Sequence, residues 1–347
     1  MKRSWVRLLC LALGLVLFPH LSPAPLIFRA GEGWTYEAVG ATGKWQRTRA
    51  KDQLEVAQEA LDKKDYSLAM KAGTRVVRVW PQSDYAPQGQ FIVGRAHEFT
   101  HNDEKAFTAY QTLIEKYPKT VNYDEVLQRQ YEIANRFLAG QWFKLWGYIP
   151  FFPNMEKTTA MYKKIIANGP YSDVAPQAQM NIGAASEKRR DYAQAVKAYS
   201  AAADRYHDRK QVAADALYKA GLAYTKQAKT AEYDQNVAGQ AIATFTDFIG
   251  LYPNDKRVTE AQKIIDSLKT EQARGSFKIA QYYEKRKRTD GALIYYNEVV
   301  LKDPNSPYAE QAKQRIASIK KLPYEAPAPK PVAPAPAKSD EGKANEK

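Results

Sequence analysis

The segment HEFTH at residues 97–101 has the residue types and the spacing of a zinc-dependent hydrolase site. In the pattern H-E-x-x-H, two histidines four positions apart on one helix face bind a zinc ion, and the glutamate activates the bound water. His97, Glu98 and His101 are therefore the residues of this chain that could carry out chemistry. A catalytic zinc site also needs a third protein ligand.

The position of His101 along the chain favours a different interpretation. It falls where an apolar-periodic segment stops, just before the turn residues Asn102-Asp103. The pairs Lys63-Lys64, Arg189-Arg190 and Arg286-Lys287 occupy equivalent places. A basic side chain there complements the negative end of a helix dipole. This interpretation predicts a turn residue at His101, no zinc ligand and no bound metal.

Other catalytic patterns do not occur in the sequence. It has no glycine-rich phosphate loop and no G-x-S-x-G elbow, and the remaining histidines, His20 and His207, are isolated. The single cysteine, Cys10, lies in an N-terminal apolar segment. Without that segment, the chain has no thiol for a disulfide, a zinc site or a nucleophile. We expect a protein that is not an enzyme and that uses no cofactor.

A repeated segment predicts the elements that position these residues. SDYAPQGQF at 83–91 returns as SDVAPQAQM at 172–180, and a weaker copy, NSPYAEQAK, occupies 305–313. Before the first copy, Pro81 ends a helix, since proline cannot continue a helix interior. The serine and aspartate that open the copy offer side-chain caps for the next helix, and Pro87 suits its first turn. The repeated segment is therefore a junction between two helices.

The junctions recur with the period of the tetratricopeptide repeat. In the 34-residue segment 87–120, Gly94 is eighth, Ala106 twentieth, Tyr110 twenty-fourth and Pro118 thirty-second. Small residues at positions 8 and 20, an aromatic residue at 24 and a proline at 32 are typical of this repeat. Two antiparallel helices approach closely where both carry small side chains. We expect the aromatic ring to fill the gap to the next repeat.

The same register fits along most of the chain and predicts an all-α tetratricopeptide-repeat solenoid. It contains five to six helix pairs and a capping helix, AEQAKQRIASIKKL. The residues that occupy the small, aromatic and proline positions of the other repeats are Ala57, Ala69 and Pro81; Ala134, Tyr162 and Pro170; Gly183, Ala195 and Tyr199; Gly221, Ala241, Phe245 and Pro253; and Ala280, Ala292, Tyr296 and Pro304.

Composition divides the chain into four segments. Residues 1–24 have the basic start and short apolar run of a secretory signal peptide. Residues 25–50 form an N-terminal extension, and residues 51–322 form the repeat array, with an aromatic loop inserted at 140–156. Residues 323–347 are rich in Pro, Ala and Lys and are expected to be disordered.

The N-terminal cysteine and the net charge give two weaker indications. Leu9 precedes Cys10, where a bacterial lipobox has Gly, Ala or Ser, so lipidation of Cys10 is not expected. The formal net charge is +14, with acidic and basic residues mixed along the helical segments. This charge fits ordinary solubility, and it also fits acidic partners or anionic lipid. No nucleic-acid partner is expected.

The inserted segment GQWFKLWGYIPFFPNM, at 140–155, is the most aromatic part of the repeat array. It joins the two helices of one repeat, so most of it has no place in the core between repeats. An exposed apolar patch marks a partner or a membrane. We expect its aromatic residues to form a docking surface, although the segment could instead fold back and seal its own solenoid. These residues are Trp142, Phe143, Trp146, Tyr148, Phe151 and Phe152.

The chain resembles the BamD (YfiO-type) family, components of the machinery that assembles β-barrel proteins in the bacterial outer membrane. The match covers roughly residues 50–320 and includes the inserted third repeat. The export signal before that range also resembles the family. The resemblance depends on the junctions SDYAPQGQFIVGRAHE, SDVAPQAQMNIGAA and DPNSPYAEQAKQRI and on the second-helix segments AFTAYQTLIEKYP and AIATFTDFIGLYP.

This resemblance implies a scaffold at the periplasmic face of the outer membrane of a Gram-negative-type bacterium. Its C-terminal repeats would bind the barrel subunit, which is BamA-like, and its N-terminal repeats would receive unfolded outer membrane protein substrates. Phe91 and Arg95 are candidate contact residues in the groove of the second repeat. Two alternatives remain open: a periplasmic adaptor in cell division or peptidoglycan synthesis, and a zinc metalloenzyme that uses HEFTH.

Overall fold

A computed structural model describes residues 26–36, 45–119, 123–145, 149–230 and 235–320 of this protein. The predicted signal peptide, Cys10 and the proline-rich tail at 323–347 lie outside these residues. The chain divides into two compact units, Met1–Ala202 and Ala203–Lys347. The predicted all-α tetratricopeptide-repeat fold is confirmed, because 13 of the 17 described elements are helices and most of them pair as hairpins.

In the part of the chain that the structure describes, the first unit contains seven helices and most of an eighth. They are α1 (Ala50–Asp62), α2 (Tyr66–Val79), α3 (Ala86–Phe99), α4 (Asp103–Lys116), α5 (Tyr123–Ala139), α6 (Met155–Asn168), α7 (Ala175–Lys188) and α8 (Tyr192–Arg205). Each odd-numbered helix pairs with the helix that follows it, which gives the repeats read from the sequence.

The second unit continues the same pattern over five helices. They are α9 (Lys210–Thr230), α10 (Gln235–Leu251), α11 (Val258–Lys285), α12 (Thr289–Lys302) and α13 (Pro307–Lys320). The last of these is the predicted capping helix, and its Ala309, Ala312 and Ile319 share a core with α11 and α12.

Aromatic rings packed on small residues hold the hairpins together. A Cβ atom built on Gly94 would lie 2.7 Å from Cδ1 of Tyr110, and one on Gly221 would lie 2.8 Å from the ring of Phe245. Real Cβ atoms are essentially never that close to another heavy atom. Gly183 and Tyr199 repeat the arrangement. The ring therefore fills the gap inside its own repeat, whereas the sequence analysis expected it to fill the gap to the next one.

Three buried tyrosines, Tyr110, Tyr199 and Tyr296, donate their hydroxyl to a glutamate twelve residues earlier. Tyr110 donates to Glu98 at 2.9 Å and Tyr199 to Glu187 at 2.8 Å, and Tyr296 forms the same bond with Glu284. Burial and the neighbouring carboxylate raise the pKa of the Tyr110 hydroxyl well above its ordinary value. Each glutamate thus satisfies a polar group that the ring carries into the core.

Four helix pairs turn on a non-glycine residue in the left-handed backbone region. These residues, Lys64, His101, Arg190 and Lys287, have φ between 54° and 61°. The chain then closes with a hydrogen bond from the residue after the turn to a carbonyl five residues back, as from Asn102 N to His97 O at 2.9 Å. This geometry usually takes glycine, because a Cβ atom makes the left-handed conformation costly.

The helix junctions differ in one respect from the prediction. Pro87 and Pro176 do lie in the first turns of α3 and α7, but the N-cap residues are Tyr85 and Val174, without side-chain caps. The Ser172 hydroxyl donates to Gly169 O instead. Side-chain capping by the serine is therefore wrong at this junction. In the third copy, for which no cap was predicted, Ser306 Oγ does accept from Ala309 N.

Two short β-hairpins were not predicted. Strand β1 (Leu26–Arg29) pairs with β2 (Gly33–Tyr36) in the N-terminal extension, and β3 (Phe143–Leu145) pairs with β4 (Ile149–Phe152) in the insertion. At the first hairpin turn, Gly31 O accepts from Asp84 N at 2.7 Å, which holds the turn at the α2–α3 junction.

None of the helices in the described residues is both long enough and apolar enough to cross a bilayer.

The ring-on-glycine packing makes Gly94→Ala destabilising. The added methyl group meets the Tyr110 ring inside a filled core, so we expect the free energy of unfolding to fall by about 1–3 kcal/mol. Gly239→Ala is the control, since its nearest neighbour is a flexible glutamine side chain at 3.8 Å. It should raise stability by about 0.5–1 kcal/mol. Urea titration followed by circular dichroism measures both, and equal effects would contradict the packing argument.

The left-handed turns predict opposite effects at two adjacent arginines. Arg190 has φ 59°, whereas Arg189 has φ −81°. Arg190→Gly removes the left-handed strain and should raise stability by up to about 1 kcal/mol, while Arg189→Gly should lower it. Both changes remove one positive charge from the end of α7, so the helix-dipole contribution cancels in the comparison. A loss of stability in both variants would contradict the role given to the turn.

Candidate functional site

The first helices of the second and third repeats, α3 and α5, face each other through a network of ion pairs. Arg129 on α5 lies at its centre, with Nη2 2.9 Å from Glu125 and Nη1 3.6 Å from Glu98 on α3. Its guanidinium also lies over the ring of Phe91, 5.9 Å from the centroid. Glu98 is largely buried, so these contacts operate where solvent screens them weakly.

The network continues toward the turn between α3 and α4. Arg136 donates hydrogen bonds to both carboxylate oxygens of Asp103, at 2.8 and 3.0 Å, and its Nη2 lies 3.6 Å from Glu98. Gln141 donates to the same aspartate at 2.6 Å. Asp103 is buried, and a planar arginine with two parallel hydrogen bonds is the partner that a buried carboxylate requires.

An open cleft of 930 Å³ lies beside this network, between the α2–α3 junction and the end of α4. Phe91, Leu113 and Tyr117 supply its apolar wall, and the Tyr117 hydroxyl donates to Pro81 O across it at 3.0 Å. Ser83 lines the cleft with a buried hydroxyl that has no hydrogen-bond partner among the described residues. The other lining residues are Gln82, Asp84, Pro87, Gln88, Lys116, Pro118 and Lys119.

Phe91 and Arg95, the two residues predicted for the groove, lie one turn apart on α3. Phe91 is half-buried, packs 5.9 Å from the Tyr110 ring and forms part of the cleft wall. Arg95 reaches Glu125 at 3.9 Å and stacks over Phe99 at 4.7 Å. Its Nε is buried and donates to no acceptor among the described residues. A carbonyl or carboxylate oxygen of a bound ligand would supply the acceptor that Arg95 Nε lacks.

The three HEFTH residues do not assemble into a zinc site. Helix α3 ends at Phe99, and His101 follows in the left-handed turn, so the two histidines do not share one helix face. Glu98 is the tyrosine-binding glutamate that recurs as Glu187 and Glu284. Burial lowers the pKa of His97. Among the described residues, no group of three or more His, Cys, Asp or Glu side chains is arranged to hold a metal ion.

The inserted hairpin is fixed to the protein at its base. Phe143 is 4% exposed and stacks on Phe137, with ring centroids 4.1 Å apart. Lys144 N donates to Glu104 at 2.7 Å, and Lys144 Nζ donates to His101 O at 3.0 Å. Phe143 therefore belongs to the core and not to an exposed docking surface. This part of the insertion does fold back on its own solenoid.

Other aromatic residues of the hairpin remain accessible. Trp142 is 54% exposed and Phe152 is 44% exposed, together with Ile149 at 52%. Trp146 and Tyr148 lie outside the described residues, as does the side chain of Phe151, which belongs to β4. Among the described side chains of the predicted set, Phe143 is thus a buried anchor and Trp142 and Phe152 are exposed.

Sequence reasoning missed the arginines that organise the site. Arg129 and Arg136 lie seven residues apart on one face of α5, and both reach Glu98 in the preceding repeat. Seven-residue spacing on a helix that also carries Glu125 was a usable signal of a charged face. It could not identify the partners, because the spacing of charges along one helix does not show which residue of another repeat they meet.

Comparison with known families matches two separate segments. Residues 153–312 match the YfiO model, described as outer membrane lipoprotein, and residues 88–120 match a tetratricopeptide repeat model. The inserted hairpin lies between the two matched segments. BamD of Caulobacter vibrioides, an outer membrane protein assembly factor, is 24% identical over 166 residues, which are 47% of this chain. The match covers 53% of that relative, so the chain spans about half the length of the curated relative it matches.

Solved structures with related folds include other repeat proteins. A repeat-containing protein from Cytophaga hutchinsonii is 14% identical, with 76% of this chain and 87% of that chain covered at a TM-score of 0.35. MamA of Desulfovibrio magneticus is 13% identical, with 62% and 99% covered at a TM-score of 0.32. The helical hairpins and the repeat-model match show a tetratricopeptide-repeat fold, and residues 153–312 are similar to the YfiO-type outer membrane lipoproteins.

Proposed function

We propose that this protein is a non-catalytic scaffold for the assembly of outer membrane β-barrel proteins. The observation that carries the proposal is the match of residues 153–312 to the YfiO outer membrane lipoproteins. The matched relative from Caulobacter is itself an outer membrane protein assembly factor. In this role the chain acts in the cell envelope, at the periplasmic face of the outer membrane, after export by its signal peptide.

The chemistry of the first unit supports a binding role. Glu98, Asp103 and Glu125 are all engaged by arginines. The pairs Arg129–Glu98 and Arg95–Glu125 join α3 to α5, and Arg136–Asp103 joins α5 to the start of α4. The adjacent cleft offers apolar walls and the unpaired hydroxyl of Ser83, which is the composition of a recognition site for an extended chain. Its proposed ligands are unfolded outer membrane protein substrates. The C-terminal repeats then bind the barrel subunit of the assembly complex.

Direct peptide binding tests the cleft. The probe is a fluorescent synthetic peptide that carries the C-terminal strand of an outer membrane barrel and ends in an aromatic residue. Phe91→Ala removes an aromatic wall of the cleft and should raise the Kd for the peptide at least tenfold. This corresponds to a loss of about 1.4 kcal/mol or more of binding free energy, as expected of an interface anchor. Leu301→Ala is the control, because Leu301 is 81% exposed and lies in the other unit. Fluorescence anisotropy measures both, and unchanged affinity in Phe91→Ala with native helix content contradicts the role of the cleft.

A second experiment identifies the partners in the envelope. A photo-reactive amino acid replaces Gln88, which lines the cleft, or Gln128, an exposed glutamine on α5 used as the control. Affinity purification with mass spectrometry should recover a large outer membrane barrel with periplasmic repeat domains from both. Unfolded barrel substrates should cross-link at position 88 only. Recovery of division or peptidoglycan enzymes without a barrel subunit would replace the proposal with an envelope adaptor on the same fold.

A further inference from the structure

The inserted hairpin carries three exposed apolar side chains that the contacts between repeats do not use. Trp142, Ile149 and Phe152 are each about half exposed, at 54%, 52% and 44%. Phe143, next to Trp142, is buried on Phe137. Strands of three and four residues do not form a stable hairpin alone in water, so this one depends on its anchored side.

The anchor is polar as well as apolar, and it fixes the hairpin at one place on the first unit. Lys144 binds Glu104 through its backbone and His101 O and Asn102 through its ammonium group. Gln141 binds Asp103 at 2.6 Å. These contacts all lie at the α3–α4 turn and the base of the hairpin. The exposed apolar side chains are therefore held in position by the anchor. Their contact with water is unfavourable in free energy, because apolar surface is more stable when buried.

The charge around the hairpin indicates the kind of surface it fits. Residues 140–164 contain four lysines and one acidic residue, Glu156. Lys157 lies beside the hairpin, with Nζ 5.0 Å from the centre of the Phe143 ring, and Lys164 follows on the same face of α6. Lysine is depleted in the cores of protein–protein interfaces. Elements that lie on membranes combine tryptophan and phenylalanine with lysine.

We propose that the hairpin of β3 and β4 docks on an anionic lipid surface. Trp142, Ile149 and Phe152 enter the boundary between headgroups and acyl chains, and Lys157 and Lys164 attract the headgroup phosphates. The proposal deepens the proposed function only by naming the element that contacts the membrane. Its test uses lipid alone, so its failure leaves the cleft and co-purification experiments unaffected.

A single fluorescent label tests the docking at the hairpin itself. Cys10 is the only cysteine of the chain, so a Cys10→Ser background accepts one new thiol. Ile149→Cys places a polarity-sensitive nitrobenzoxadiazole label on the hairpin. Tyr171→Cys places it on the α6–α7 junction as a control, since Tyr171 is 90% exposed. Vesicles of phosphatidylethanolamine and phosphatidylglycerol should shift the emission of the first label to the blue at least threefold more than that of the second.

Vesicles of pure phosphatidylcholine should give a smaller shift, and added salt should reduce the shift on anionic vesicles. The pair Trp142→Ser and Phe152→Ser should lower partition to anionic vesicles at least tenfold in a flotation assay. Equal shifts at 149 and 171 would mean that another segment, such as the N-terminal apolar run, carries the binding, and would overturn the proposal. If the emission of the label at 149 did not change with vesicles but shifted when an envelope protein was added, the proposal would be overturned in favour of a protein partner.

Discussion

The contact between a large ring and a residue without a side chain is the constraint on which the rest of this protein depends. In the pairs Gly94–Tyr110, Gly183–Tyr199 and Gly221–Phe245, the glycine leaves a gap that only the ring fills. This sets both the distance between the two helices of a hairpin and their rotation. Because each hairpin buries its apolar face against its neighbours, one fixed hairpin geometry repeated along the chain produces the stacking within each unit.

Burying a tyrosine ring in that gap also brings a hydroxyl group into the core, and the site follows from how it is satisfied. Glu98, Glu187 and Glu284 accept the hydroxyl from positions near the end of the first helix. In the second repeat, Glu98 also attracts Arg129 and Arg136 from the next repeat. A requirement of core packing thereby places three charges on the α3–α5 surface, beside the cleft. The same requirement explains why HEFTH matches a zinc motif: its glutamate serves the core, and its second histidine forms the turn.

The repeats were predictable from the sequence because both halves of the ring-on-glycine contact are visible as residue types at a fixed spacing. Phe91 was predictable as a groove residue for the same reason, since register places it on the first helix. The ion pairs were not, because Arg129 and Glu98 meet across repeats and nothing in the sequence separation of two charges indicates contact. Neither β-hairpin was predicted, because strands of three or four residues are too short to show an alternation of apolar and polar residues. Buried Phe143 and exposed Trp142 are adjacent aromatics, and only the packing distinguishes them.

The insertion shows how a repeat protein can acquire a new surface without altering its stack. The hairpin leaves the chain after α5 and returns at α6, and it binds the α3–α4 turn through backbone carbonyls and through side chains that the turn already presents. His101 contributes its carbonyl oxygen there, so the position that resembles a zinc ligand acts through its backbone. Because the ring-on-glycine contacts lie elsewhere, changes on the exposed side of the hairpin cost the repeats nothing. That independence makes a separate surface on the hairpin physically compatible with the proposed binding of an extended chain in the cleft.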